Sequence, residues 1–154
     1  MEKKAENLLL SFSCTIDAPF EMVSEGFNID LFRALCPAFP KVSIERFDGI
    51  RQGDLVSLKL GLFLLSWQWS GTVISYQRTD NELRFVDTGD RLPPFLSYWK
   101  HEHLVIKNGK GTIIEDNIAF RAGKGWPDFL VEMMISLQMK PRKKIYRNYF
   151  EKNS

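Results

Sequence analysis

The sequence predicts an α+β fold in which one long C-terminal helix covers the concave face of a curved antiparallel sheet of about seven strands. Three patterns predict it: an alternating stretch followed by two short helical segments, a central series of strand-like segments, and an apolar stripe at helical spacing near the C-terminus. The chain has 154 residues, and we predict that residues 1–154 form a single domain. Because a curved sheet cannot leave one face bare, the helix is expected to close its interior.

The first strand and the helices after it are predicted from local patterns. Leu8–Ile16 alternates loosely between apolar and polar residues, which is typical of a strand. Asp17 is a candidate N-cap for a helix that runs to about Phe27. A second short helix is predicted over Ile29–Leu35, ending before Pro37 because the residue preceding a proline is disfavoured in helices. An irregular loop is the alternative for this pair of helices.

The middle of the chain is predicted to form strands separated by turns. These strands are Val42–Phe47, Leu55–Leu60, Leu64–Tyr76 and Leu83–Asp87. Within the longest of them the bulky residues change face: Trp67 and Trp69 occupy one face of a regular strand. Ile74 and Tyr76 fall on the other. Gly71 lies at the change, so a β-bulge is predicted there.

The strongest local signal lies in residues 94–120, which form two long predicted strands joined at Asn108-Gly109. Asparagine and glycine accept positive φ at the two central positions of a hairpin turn. A turn centred on this dipeptide sets the register of the two strands. Counting outward from it, His101 faces Asp116 across the hairpin. We therefore predict direct contact between these two side chains.

The two faces of the first hairpin strand differ in polarity. One face carries Lys100 and Glu102, and the other carries Trp99, His101 and His103. Burying two charged side chains would cost far more free energy than burying neutral imidazoles, so the second face is predicted to point inward. An inward face this polar is typical of a cavity wall rather than of an ordinary sheet core.

A long helix is predicted over residues 127–150. Its apolar residues recur at three- and four-residue steps: Trp126, Leu130, Met133, Leu137, Pro141, Ile145 and Tyr149. Pro141 is expected to kink this helix, because proline lacks the backbone donor that a helix needs. We predict that the part of the stripe formed by Leu130, Met133 and Leu137 packs over the concave face of the sheet.

The composition is that of an ordinary globular chain, with 44% hydrophobic and 26% charged residues. A content of 13% aromatic residues suits a core and also a pocket for flat or apolar ligands. The formal net charge of +2 is too small to indicate a polyanionic partner. Cys14 and Cys36 are the only cysteines, and no signal-peptide or membrane-span pattern occurs, so a cytoplasmic location is expected.

The order of elements resembles the START-like, or SRPBCC, superfamily, whose helix-grip fold includes polyketide cyclase-like ligand-binding proteins. The resemblance covers residues 12–150. It is closest to bacterial members with a Trp-x-His-x-His strand, a Gly-Thr turn, a following Asp and a particular last helix. Here these are Trp99, His101, His103, Gly111-Thr112, Asp116 and Ile145-Tyr146-Arg147. One departure lies at residues 120–123, where a Tyr and a Pro would be expected. The resemblance implies a single START-like ligand-binding domain.

The resemblance and the aromatic faces imply binding of a small hydrophobic or aromatic molecule between the sheet and the C-terminal helix, without catalysis. The predicted ligand-binding residues are Trp67, Trp69, Phe85, Trp99, His101, His103, Asp116, Ile118, Phe120, Met133 and Leu137. The alternative is a polyketide cyclase/dehydratase-like enzyme in which His101 and Asp116 form an acid–base pair. In that case Tyr76 and Arg84 are the candidates for stabilising an oxyanion. A catalytic His101 must present a nitrogen to the cavity.

Other ligands and partners receive less support. Two histidines and an aspartate are residue types that bind iron or zinc, but no fourth ligand is evident, so no metal and no cofactor are predicted. A basic cluster in the last helix is interpreted as a solvated outer face: Lys140, Arg142, Lys143, Lys144 and Arg147. We therefore expect no nucleic-acid partner and no integral membrane association. The sequence leaves the oligomeric state open.

Overall fold

The computed structural model describes residues 6–152 as one antiparallel sheet with helices packed against its inner face. The elements are β1 (Leu8–Ile16), α1 (Phe20–Glu25), α2 (Ile29–Leu35), β2 (Lys41–Phe47), β3 (Leu55–Leu62), β4 (Leu65–Arg78), β5 (Glu82–Arg91), β6 (Leu96–Asn108), β7 (Gly111–Ala122), α3 (Asp128–Met139) and α4 (Arg142–Glu151). The seven strands follow the order β1-β7-β6-β5-β4-β3-β2. The predicted fold class is confirmed.

The order of the strands brings the first and the last strand of the chain together. β1 pairs with β7, so β1 and β2 are the edges of the sheet, and β5, β6 and β7 are consecutive neighbours. Successive residues of β7 alternate between buried and partly exposed, as expected for a strand with one face against the core. Inward side chains of the three neighbouring strands can therefore meet, with β1 beside them at the edge.

The two short helices after β1 form as predicted, with one difference at the first N-terminus. Pro19 occupies the N-cap of α1, and no side chain caps this helix. The predicted capping role of Asp17 is therefore wrong, because this residue lies before the N-cap position from which a side chain reaches the first free amides. α2 is capped by Asn28, whose side-chain oxygen accepts hydrogen bonds from the amides of Asp30 and Leu31 at 3.0 and 3.2 Å.

The turn between β6 and β7 lies one residue further along the chain than predicted. It is centred on residues 109–110, and Gly109 has a φ of 60°, as in a type II′ turn. The register is consequently shifted, and His103 rather than His101 lies opposite Asp116. Because the shift amounts to two residues, every side chain keeps its face, and the inward face of β6 is as predicted.

β4 changes face as predicted, and its register with β5 is irregular both at Gly71, where the bulge was predicted, and at Ile74. Ile74 is the extra residue between two neighbours that pair with consecutive residues of β5. Its side chain is exposed, so it does not join the inner face. Tyr76 packs against the core beyond the bulge. A second irregularity lies opposite Gly71, where the extra residue is Asp90 of β5.

The C-terminal helix is divided into α3 and α4 at Pro141, which confirms the predicted interruption. The face that α3 turns to the sheet differs from the prediction. The side chains of Met133 and Leu137 are 50% and 64% exposed. Their predicted packing over the concave sheet is wrong. The residues that α3 buries against the sheet are Val131, Ile135 and Met139.

The reason for this difference lies in the sequence of α3. Phe129, Met133 and Leu137 repeat at four-residue spacing, and so do the three buried residues, so the helix carries two apolar stripes. Helical periodicity identifies both stripes but cannot say which of them meets the sheet.

In the described part of the chain, no helix is both long and apolar enough to cross a membrane.

The interior contains two apolar clusters. Along β6, Val105 belongs to the first cluster and Trp99 to the second. Along β7, Ile114 belongs to the first and Ile118 to the second. The inward positions between them, in the middle of both strands, are polar. The core is therefore interrupted by polar side chains at a place where the sheet itself is regular.

Candidate functional site

A buried polar cluster fills the gap between the two apolar clusters. We use this name for five side chains: Asp87, His101, His103, Asp116 and Tyr146. β5 contributes the first of them, β6 the two imidazoles, β7 the second carboxylate and α4 the phenol. Buried polar groups are costly unless they are hydrogen-bonded, so the partners of each group decide what the cluster can do.

Asp116 is the centre of the cluster. Its Oδ1 atom lies 2.8 Å from His101 Nε2, and since an ionised carboxylate only accepts hydrogen bonds, the imidazole donates. Its Oδ2 atom accepts a hydrogen bond of 3.2 Å from the hydroxyl of Tyr146. The predicted contact between His101 and Asp116 is therefore confirmed, although the two residues are diagonal rather than opposite each other.

His103 lies between the carboxylates of Asp87 and Asp116. Its Nε2 atom lies 3.0 Å from Asp87 Oδ2. Its Nδ1 atom lies 3.2 Å from Asp116 Oδ1 but lacks the geometry of a hydrogen bond. The ring is held between two others: Phe85 stacks on it with centroids 4.2 Å apart, and the His101 ring lies at 3.7 Å. Two imidazoles this close disfavour a state in which both are charged.

The two carboxylates are ionised despite their burial. Burial alone would raise the pKa of Asp116, but the hydrogen bond from His101 and the adjacent His103 imidazole hold it well below its usual value. Burial likewise opposes the charged form of Asp87, and the His103 hydrogen bond together with the nearby imidazoles lowers its pKa. The cluster therefore contains two fixed negative charges.

The two imidazoles differ in charge. Burial lowers the pKa of His101 below its ordinary value, and the neighbouring His103 lowers it further. Burial would also lower the pKa of His103, but the carboxylates of Asp116 and Asp87 outweigh it and raise the pKa. His103 is thus the imidazole that holds an extra proton first, and His101 is the neutral one.

Tyr146 and Arg142 complete the site from α4, one helical turn apart. Burial, followed by the charge of Asp116, raises the pKa of Tyr146 well above its usual value, so the phenol stays protonated. Burial opposes the charge of Arg142, yet its interactions with Tyr146, Asp116 and Asp87 raise its pKa. The Nε atom of Arg142 is buried and has no hydrogen-bond partner. The sequence suggested that Arg142 belongs to a solvated outer face. That interpretation is wrong for this residue, because its side chain turns toward the buried polar cluster.

The residues expected to stabilise an oxyanion lie elsewhere. Tyr76 packs against the first apolar cluster, with the guanidinium of Arg51 5.2 Å from its ring centroid. Arg84 lies on the outer face of the sheet, where it pairs with Glu102. Neither candidate belongs to the buried polar cluster, because the site is built by strands and a helix that meet only in the fold.

A pocket of about 290 Å³ opens at the surface between β1 and the junction of α3 with α4. We call it the β1–helix pocket. Its lining consists of Ser11, Phe12, Ser13, Cys14, Ile114, Asp116, Met139, Lys140, Arg142, Lys143 and Tyr146. Burial, followed by the charge of Asp116, raises the pKa of Cys14 to about 11, so its thiol is neutral and serves as an apolar wall. The carboxylate of Asp116 and the phenol of Tyr146 form the floor.

The remaining predicted ligand-binding residues divide into three groups. Phe85, His101 and His103 join the buried polar cluster or stack on it. Met133 and Leu137 lie in an open depression on the outer side of α3. The last group packs in the second apolar cluster or against its rim: Trp67, Trp69, Trp99, Ile118 and Phe120. Of the predicted set, Asp116 is the residue that lines the β1–helix pocket.

Sequence analysis missed Asp87, Arg142 and Tyr146 as site residues. The spacing of Arg142 and Tyr146, four residues apart on one helix face, was a usable signal. Tyr146 also lies in the last-helix motif that supported the superfamily resemblance. Asp87 had no such signal, because its place beside His101 follows from the pairing of β5 with β6.

Asp87, His101 and His103 also bring potential metal-ligand atoms within 4.8 Å of one another. Two imidazoles and a carboxylate suit iron or zinc. A cation bound through these atoms would have to replace the direct contact between His103 and Asp87. Because that contact and the one between His101 and Asp116 already pair both carboxylates, the absence of a metal stays our prediction.

Comparison with known proteins identifies the fold. No family model and no curated protein sequence matches the chain. The Zhui aromatase/cyclase from Streptomyces sp. R1128 has 15% identity and a TM-score of 0.71, with 94% of each chain covered. A START superfamily protein from Mycobacterium smegmatis has 12% identity and a TM-score of 0.70, covering 95% of this chain and 99% of that one. Norcoclaurine synthase from Thalictrum flavum has 9% identity and a TM-score of 0.69, covering 97% and 99%. The chain therefore has the helix-grip fold of the START-like superfamily.

Proposed function

We propose that this helix-grip domain binds a small, largely apolar or aromatic molecule in the β1–helix pocket. The observation that carries the proposal is the lining of this pocket, in which apolar side chains from the sheet and from α3 lie beside the polar groups of Asp116 and Tyr146. Ligand sites typically combine such walls with a few polar groups that orient the ligand. The volume of about 290 Å³ corresponds to the space of about ten water molecules.

Small aromatic ligands are compatible with this fold in other proteins. A structure of norcoclaurine synthase from Thalictrum flavum contains dopamine and hydroxybenzaldehyde, and that protein is 9% identical to this chain with a TM-score of 0.68. Two of the structural neighbours are enzymes by name. The fold therefore accommodates both binding and catalysis, and the side chains of the pocket must decide between them.

The side chains favour binding over acid–base catalysis. A carboxylate whose pKa lies well below its usual value is a weak base, and a phenol whose pKa lies well above its usual value is a weak acid. Among the described residues, His101 is not part of the pocket lining. We therefore assign Asp116 and Tyr146 the role of orienting a ligand, and the alternative acid–base pair of His101 with Asp116 has less support.

Methionine methyl groups offer a direct test, because a different methionine of α3 lines each of the two surface depressions. Met139 lines the β1–helix pocket, whereas Met133 lies in the outer depression of the same helix. Protein labelled with ¹³C at methionine methyl groups would be titrated with 1-octanol and with 3-phenylpropanol, as one aliphatic and one aromatic test compound. Substitutions of each methionine by leucine would assign the signals.

We expect a saturable shift of the Met139 signal and no shift of the Met133 signal. A shift of Met133 alone would place binding in the outer depression and refute the proposal. If neither signal responds at millimolar concentrations of either compound, the pocket does not bind apolar molecules of this size and the proposal fails.

A further inference from the structure

The β1–helix pocket has an uneven charge distribution. Among the described residues that line it, three carry a positive charge and one carries a negative charge: Lys140, Arg142, Lys143 and Asp116. All three cations come from the junction between α3 and α4. They therefore lie on one side of the pocket, opposite the wall formed by β1.

The single carboxylate does not neutralise this side. Asp116 faces His103 and accepts hydrogen bonds from His101 and Tyr146, so its charge is engaged within the buried polar cluster. Counting Asp87 with it, the two carboxylates of the cluster face the two imidazoles and the Arg142 guanidinium. The ammonium groups of Lys140 and Lys143 are then in excess at the pocket.

Two further observations concern the beginning of α4. Arg142 and Lys143 occupy its first turn, which contains no acidic residue and no side-chain cap. Cations at a helix N-terminus are unfavourable because the helix dipole is positive there. Arg142 lines the pocket, and its Nε atom is buried without an acceptor. A buried donor without a partner costs free energy until an acceptor is supplied.

We propose that the β1–helix pocket selects amphipathic monoanions. The apolar or aromatic body of the ligand would lie against Phe12, Ile114 and Met139. Its carboxylate, or a similar oxyanion, would lie beside Lys143 and Arg142 at the α3–α4 junction. This inference rests on the proposed function and adds the class of ligand to it.

Three compounds with the same alkyl chain separate charge from apolar contact: octanoate, 1-octanol and octylamine. Their dissociation constants would be measured from the Met139 methyl signal at low ionic strength. We expect octanoate to bind on the order of tenfold more tightly than 1-octanol, as charge-assisted hydrogen bonds contribute. Octylamine should bind most weakly. Added salt should reduce the advantage of octanoate, because part of the interaction is exposed to solvent.

Two lysines provide a matched pair of variants. Lys143 lines the pocket, and Lys144 is its exposed neighbour outside it. Lys143→Gln should remove most of the preference for octanoate over 1-octanol, and Lys144→Gln should retain it. Because both residues are exposed, neither substitution removes core packing.

The outcomes separate the two claims. Equal binding of octanoate and 1-octanol, or tighter binding of octylamine, overturns the selectivity for anions and leaves the proposed apolar pocket intact. Equal effects of the two lysine substitutions overturn the assignment of the anion to the α3–α4 junction. If none of the three compounds shifts Met139, the proposed function itself has failed.

Discussion

The inner and outer faces of β5, β6 and β7 each carry a network centred on one carboxylate. On the inner face, Asp116 joins the imidazoles of β6 to Tyr146 of α4. On the outer face, Glu102 of β6 accepts a hydrogen bond of 2.8 Å from Arg84 Nε and one of 3.2 Å from Asn117 Nδ2. Both networks therefore connect neighbouring elements through similar groups at similar distances.

Exposure to water separates the two networks. The Asp116 side chain is 4% exposed, whereas those of Glu102 and Arg84 are 22% and 45% exposed. Water screens the outer ion pair, and such pairs typically contribute about 0–1 kcal/mol. In the inner network the loss of one partner leaves a buried charge without compensation, which is strongly destabilising. Hydrogen-bond distances alone therefore do not rank the contributions of these networks to stability, whereas burial does.

The largest expected effect tests this ranking directly. Asp116→Ala should lower the free energy of unfolding by about 3–5 kcal/mol, because it removes the buried acceptor of His101 and Tyr146 and leaves Arg142 and the imidazoles with only one carboxylate. Glu102→Ala, the matched change on the outer face, should cost less than about 1 kcal/mol. Urea unfolding at neutral pH measures both. Should Asp116→Ala fail to fold, Asp116→Asn gives the same comparison, and equal losses for the two faces would contradict it.

A second comparison extends the contrast between inside and outside to the apolar side chains of α3. Ile135 is buried against the sheet and Leu137 is exposed. Ile135→Ala should cost about 3 kcal/mol through lost burial and a residual cavity. Leu137→Ala should stay within about 0.5 kcal/mol. Thermal or urea melts decide the matter, and a larger loss for Leu137→Ala would mean that α3 turns its other stripe to the sheet.

The smallest effect concerns the protonation of the buried polar cluster. His101 and His103 are the chain's two histidines, so their ring signals can be followed by NMR across the pH range and assigned with His101→Gln. We expect His103 to titrate above the ordinary value of about 6.5 and His101 below it. Burial and the neighbouring imidazole disfavour the charged form of His101, whereas the two carboxylates favour that of His103. The reverse order would mean that the carboxylates stabilise His101 instead.

These titrations have opposite consequences for stability. The raised pKa of His103 contributes stability that is fully present below its unfolded pKa and is lost as the pH rises through the folded pKa. The lowered pKa of His101 contributes stability that is present above its unfolded pKa and is lost as the pH falls through the folded pKa. Urea unfolding would be measured from about pH 5 to about pH 9. Relative to the unsubstituted protein, the change in unfolding free energy across this range should have opposite signs for His103→Gln and His101→Gln, each on the order of 1 kcal/mol. Changes of the same sign would contradict the opposite charge states.

Local patterns in the sequence were sufficient for most of the fold. The alternation over Leu8–Ile16 predicted β1 with its observed bounds, and Ile29–Leu35 did the same for α2. Pro141 predicted the break between α3 and α4. The contact between His101 and Asp116 was also predicted, even though the register was off by two residues, because such a shift leaves each side chain on its original face.

The tertiary structure decided what depends on contacts between distant parts of the chain. Asp87 reaches His103 only because β5 pairs with β6, and Tyr146 reaches Asp116 only because α4 packs against the inner face. The choice between the two apolar stripes of α3 was likewise open until the helix docked. Periodicity shows how side chains are arranged on one helix or strand. A site between elements depends instead on which of their faces pack against each other and exclude water. That selection belongs to the packed core as a whole.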